Sequence, residues 1–105
     1  MDVISNNEVE KFIQSLDTIP YGKVLKVLES LSKYGNMLGM PLSKYISDGV
    51  LGLRTRGNPE IRILYCFYNN QARLLIAYVK TSQKLPKNIF GKALLRKNAL
   101  TPYNI

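Results

Sequence analysis

Four basic residues in this chain stand in or beside strand-like apolar runs. Arg54 closes a short run, Arg62 lies inside a longer one, and Lys80 and Lys84 follow a third. The sequence has no His and a single Cys, Cys66, which excludes a His/Cys zinc or iron site, a Cys–His dyad and a Ser–His–Asp triad. Proton transfer then falls to Tyr, Lys or a carboxylate, or the chemistry rests on placed positive charge. Cleavage of RNA by its own 2′-hydroxyl suits the second case. The substrate brings the nucleophile, negative charge builds up on the phosphorane oxygens, and the protein's task is to hold the nucleotide in line and stabilise that charge with Arg and Lys. A lysine crowded by other cations gives up its proton more readily and can serve as general acid or base. In an antiparallel meander the end of the first strand lies near the start of the second, which lies near the end of the third, so the spacing allows Arg54, Arg62 and Lys80 to converge. The plainer alternative is that strand-edge cations snorkel into water or pair with a carboxylate such as Glu60 or Asp48.

The charge distribution supports a polyanion or an acidic protein as partner. Of 105 residues, 15 are Lys or Arg and 7 are Asp or Glu, a net charge of +8. All the acids lie in residues 1–60, where seven bases cancel them, so the excess sits in the acid-free remainder. Lys44, Arg56, Arg73, Gln83 and Lys87 are further RNA-binding candidates. Tyr78 is placed to stack on a base, and Tyr103 to reach over the site from the tail. Cys66 reads as a small buried hydrophobe. Neither a phosphate-binding G-x-x-x-x-G-K-S/T nor a G-x-G-x-x-G is present, so no cofactor and no metal is expected. No apolar run approaches the ~20 residues of a membrane span, and the start, Met1–Glu10, does not look like a signal peptide. A soluble protein of the reducing cytoplasm is expected, as one domain over residues 1–105.

The elements that must position these residues follow from periodicity. Ser5-Asn6-Asn7-Glu8 fits a capping box ahead of Val9, Phe12, Ile13 and Leu16 at helical spacing. Pro20 can open a second helix with Tyr21, Val24, Leu25, Leu28 and Leu31 as its apolar stripe, stopping at Gly35. The two are expected to pack as a helical hairpin. Residues 36–48 read as irregular, leading into a turn at Asp48-Gly49. Val50–Thr55, Ile61–Tyr68 and Ala72–Val79 read as strands joined by short turns. Both faces of the middle strand are largely apolar, so helices are expected on each. Pro86 introduces a last helix from Lys87 to about Lys97, and residues 98–105 read as an irregular tail.

Three segments in order carry a resemblance. Pro41-Leu42-Ser43-Lys44-Tyr45-Ile46-Ser47-Asp48-Gly49-Val50-Leu51-Gly52-Leu53-Arg54 is followed by Arg62-Ile63-Leu64-Tyr65-Cys66-Phe67 and then by Ala77-Tyr78-Val79-Lys80-Thr81-Ser82-Gln83-Lys84-Leu85-Pro86. Together they resemble the RelE/HigB-like toxins of bacterial type II toxin–antitoxin systems, especially their phage-derived branch. The resemblance implies an α+β fold: an N-terminal helical hairpin packed on a small antiparallel sheet of three to four strands, with a C-terminal helix. It implies an mRNA endoribonuclease acting in the ribosomal A site and neutralised by a cognate antitoxin. By position it implies phosphate binding and transition-state stabilisation by Arg54 and Arg62, proton transfer by Lys80, and orientation of RNA by Lys84. Gly52 stands where the family pattern has Glu, and Thr81-Ser82 where it has Lys-Thr. The start, Met1–Ser5, is very short for the strand that most members place before the helices. Two other readings remain at this point: a ParE-like inhibitor of DNA gyrase on the same scaffold, and a non-catalytic module that binds RNA or an acidic protein.

Overall fold

The computed structural model describes residues 1–102; Tyr103 lies outside them. The chain order is β1 (Asp2–Ser5), α1 (Asn7–Gln14), α2 (Thr18–Tyr34), a 3-10 turn (Gly35–Met37), β2 (Ser43–Ser47), β3 (Val50–Arg54), β4 (Ile61–Tyr68), β5 (Gln71–Val79) and α3 (Lys87–Asn98). The strands form one sheet in the order β1-β5-β4-β3-β2. β2 to β5 are an antiparallel meander, while β1 lies parallel to β5 along its outer edge.

Two tight turns set the register. Asp48 and Gly49 join β2 to β3 with φ of 54° and 79°, and Asn69 and Asn70 join β4 to β5 with φ of 53° and 61°. Positive φ at both central positions is what a two-residue turn with the twist of a hairpin requires, and Asn, Asp and Gly tolerate it. The second turn aligns Arg62 with Tyr78, and the longer connection 55–60, closed by the Thr55 amide donating to the Ile61 carbonyl at 3.0 Å, aligns Arg54 with Arg62. One extra residue, Leu75, bulges from β5, since Leu64 faces Ile76 while Tyr65 faces Leu74.

The period-2 alternation of β4 divides the core into two layers. Ile61, Ile63 and Tyr65 point to the face covered by Val9 and Ile13 of α1 and by Val24, Val27 and Leu31 of α2. Leu64 and Cys66 point to the opposite face, beneath α3 with its buried Ala93. Burying a Leu or Ile side chain contributes about 1.5–3 kcal/mol, so a strand apolar on both faces is stable only with both faces covered. Burial also raises the Cys66 thiol above its ordinary value, against the pull of the Lys97 and Arg73 charges. The thiol is a packing group.

The expected architecture needs correction in three respects. The sheet has five strands, and the first element is a strand: Asp2–Ser5, although short, completes four parallel register pairs with β5. The two N-terminal helices follow that strand and are not a self-contained hairpin laid on the sheet; α1 rests on β5, and α2 on β1 and the first core layer. The segment 36–48 is not irregular throughout, because Ser43–Ser47 pairs with β3. Local details shift too. Asn6 caps α1, its Oδ1 accepting from the Val9 amide at 2.8 Å, while the Ser5 hydroxyl donates to Glu10. In α2, Val27 is buried whereas Leu25 is exposed.

Candidate nucleic-acid interface

The end of the sheet where β3 stops and β4 starts carries a groove of about 280 Å³ on the α3 face. Lys44, Gly52, Arg54, Arg62, Lys80 and Gln83 line it. The sheet register explains the convergence: Arg54 and Arg62 are cross-strand partners, and the ladder continues past β5 through the Lys80 amide, which donates to the Glu60 carbonyl at 2.9 Å. Arg54 Nε donates to the Pro41 carbonyl at 2.8 Å, which ties it to the segment before β2. Gly52 keeps the floor low, since a Cβ there would stand 3.1 Å from Ile46 Cδ1.

One carboxylate stands among these cations. Glu60 accepts from Arg62 Nε at 2.5 Å and lies 4.0 Å from Lys80 Nζ. Burial pushes the Glu60 carboxyl up, but the Arg62 hydrogen bond and the charges of Arg62, Lys80 and Arg54 outweigh it and hold the carboxyl below the ordinary value. Glu60 is therefore ionised at neutral pH, a counter-ion rather than a proton store. It occupies one edge of the Arg62 guanidinium, and the fork geometry leaves other N–H groups for a phosphate. Tyr78 lies opposite Arg62 and is partly buried against the α3 layer. Burial raises its phenol above the ordinary value despite the Arg62 charge and hydrogen bond, so the hydroxyl keeps its proton while its oxygen accepts from Arg62.

Other sequence candidates lie elsewhere. Arg73 is buried at the far end of β5; its Nε donates to Gln71 Oε1 at 2.9 Å and its guanidinium sits 5.5 Å from the centre of the Tyr68 ring. It is a structural cation. Lys84 and Lys87 are exposed on the loop before α3 and at its first turn, outside the groove lining. Arg56 is exposed and lines a neighbouring hollow on the α2 side. Of the basic residues of α3, Arg96 pairs with Glu8 at 2.5 Å and Lys92 lies 3.9 Å from the same carboxylate. The sequence reading of 36–48 as irregular gives no site role to the groove walls Met40, Pro41 and Ile46. The missed signal was the Asp-Gly turn itself, which needs a strand on both sides.

No group of three or more His, Cys, Asp or Glu among the described residues is arranged to hold a metal ion. No helix among them is long and apolar enough to cross a membrane. A family model described as Phage derived protein Gp49-like (DUF891) matches residues 11–98. The chain belongs to that family. Gp49-like proteins are a toxin-like family associated with toxin–antitoxin systems. The Gp49-like match runs from within α1 to the end of α3 and includes all the groove residues, while β1 lies before it. No curated protein matches the chain.

Proposed function

We propose that this Gp49-like protein is the toxin of a type II toxin–antitoxin pair and that it cuts mRNA on the ribosome through the RNA's own 2′-hydroxyl. The observation that carries the reading is the convergence of Arg54, Arg62 and Lys80 on one groove. In the reaction the 2′-oxygen forms a bond to phosphorus and the bond to the 5′-oxygen breaks, leaving a 2′,3′-cyclic phosphate and a 5′-hydroxyl. The proton lost from the 2′-hydroxyl passes to solvent water at the mouth of the groove, and one must reach the leaving 5′-oxygen. Arg62, with Arg54 across the ladder, neutralises the phosphorane, and Lys80 supplies the proton to the 5′-oxygen. Lys44 and Gln83 at the groove walls hold the neighbouring nucleotides. A cognate antitoxin neutralises the toxin.

The test is induced expression in a bacterium with mapping of mRNA 5′ ends, wild type against Arg62→Ala. Growth arrest and new 5′ ends within translated messages are expected, with cleavage by the variant lower by about 10²–10³. Growth arrest with intact mRNA and lost supercoiling makes the protein a gyrase inhibitor instead. The absence of both growth arrest and new 5′ ends refutes the toxin reading.

A further inference from the structure

A second hollow adjoins the groove on the other face of the sheet. Lys23 and Lys26 of α2, with Arg54 and Arg56, surround a floor formed by Val27 and Leu42, and the volume is about 240 Å³. Arg54 and Leu42 belong to both hollows, so the two meet at the end of β3. Lys23 and Lys26 are three residues apart and share a helix face. Lys23 Nζ donates to the Arg56 carbonyl at 3.0 Å, which draws α2 and the β3–β4 loop together.

The electrostatics differ from those of the groove. Among the described residues none of these four cations forms an ion pair, and no carboxylate lines the hollow. In the groove, by contrast, Glu60 already answers Arg62 and Lys80. Like charges gathered around a concave site repel one another, and that repulsion is relieved when an anion enters. An apolar floor with a cationic rim fits one nucleotide, its base or ribose on Val27 and Leu42 and its phosphates on the rim. The volume lies below the ~300 Å³ at which drug-sized pockets begin, which suits a link of a longer chain better than a free ligand.

We propose that the Lys23–Lys26–Arg56 hollow is a subsite for single-stranded RNA, which takes the nucleotide that continues from the groove around Arg54. The proposal rests on the groove's being the RNA site and adds the direction in which the strand leaves it. It makes Arg54 the hinge of the path, with phosphates on both sides of it.

Fluorescence anisotropy with 2′-O-methylated RNA tests this, because such RNA lacks the nucleophile and reports binding without cleavage. The probes are a trinucleotide, short enough to centre on the groove, and a decanucleotide, long enough to reach both hollows. The proteins are wild type, the Lys23→Gln/Lys26→Gln double variant and Arg62→Ala. The double variant is expected to bind the decanucleotide about tenfold more weakly, with the slope of log K against log salt reduced by about 1.4, or ~0.7 for each lost cation on a single strand. Its trinucleotide affinity is expected to stay within about twofold of wild type, while Arg62→Ala weakens both probes. If the double variant binds the decanucleotide as wild type does while Arg62→Ala does not, the subsite is overturned and the groove stands. Equal weakening of both probes by the double variant also overturns the subsite, since the lysines then act as a diffuse field. If wild type binds neither probe, the groove reading fails and takes the subsite with it.

Discussion

Replacing Glu60 by Gln is expected to weaken the fold and strengthen RNA binding at the same time. The carboxylate accepts from Arg62 Nε at 2.5 Å and lies 4.0 Å from Lys80, with the three side chains between 19% and 27% exposed. Such partly screened pairs lie between surface ion pairs, at about 0.2–1 kcal/mol, and charge-assisted hydrogen bonds, at about 1.5–3. Gln keeps an acceptor for Arg62, so the expected loss of stability at neutral pH is about 1 kcal/mol. The groove is lined by Lys44, Arg54, Arg62 and Lys80 against one adjacent carboxylate, and the substitution removes that carboxylate. A phosphate seated on Arg62 stands roughly 5 Å from Glu60, one guanidinium away. Repulsion at that distance is about 0.8 kcal/mol in bulk water and ~3 at an effective dielectric constant of 20. Solvent access favours the lower end, so affinity for non-cleavable RNA is expected to rise about fivefold, or ~1 kcal/mol. Urea denaturation and anisotropy read the two effects separately. The stability difference has a definite pH dependence. Because the folded-state carboxyl is held below its ordinary value, its contribution is present above that value and is lost as pH falls through the depressed one. The gap between wild type and variant is therefore expected to close on acidification. RNA affinity that is unchanged or weaker in Glu60→Gln refutes the reasoning, because Glu60 then does not compete with the phosphate.

Three further outcomes follow from the packing. Arg73→Ala is expected to cost about 3 kcal/mol in urea unfolding, since it empties a buried site and strips the contacts to Gln71 and Tyr68, while RNA affinity stays at the wild-type level. Tyr65→Phe removes the partner of the buried Ser43 hydroxyl and is expected to cost about 1–2 kcal/mol; the further change Ser43→Ala is expected to recover part of that loss in a double-mutant cycle. Deleting residues 2–5 uncovers the β5 edge and removes Val3 from the first core layer, and is expected to lower the melting temperature and promote association detectable by light scattering.

Which of these features the sequence carried depends on how local their causes are. The β3–β4–β5 meander was legible because its connections are written in Gly57-Asn58-Pro59 and Asn69-Asn70, whose turn-forming character needs no tertiary partner. The alternation of Ile61, Ile63 and Tyr65 with Leu64 and Cys66 announced a strand buried on both faces, and helices cover both. Composition likewise excluded histidine chemistry outright. Spacing along the meander was enough to bring Arg54, Arg62 and Lys80 to one place, because short antiparallel connections leave little freedom of register. What lay beyond reach was non-local. The strand Asp2–Ser5 is too short for a periodic signal and exists because β5, distant in sequence, offers a parallel edge. Arg73 and Arg62 look alike as strand arginines, but one is buried beside Gln71 and Tyr68 while the other opens into the groove. Whether a cation has a carboxylate neighbour was equally undecided: Glu60 quenches part of the groove, Glu8 engages Arg96 and Lys92, and Lys23 and Lys26 are left with neither. Residue types and local periodicity thus determined the three middle strands, their turns and the exclusion of histidine chemistry, while the pairing of distant charges and edges, decided only when the chain closed on itself, chose which cations line the groove and the adjoining hollow.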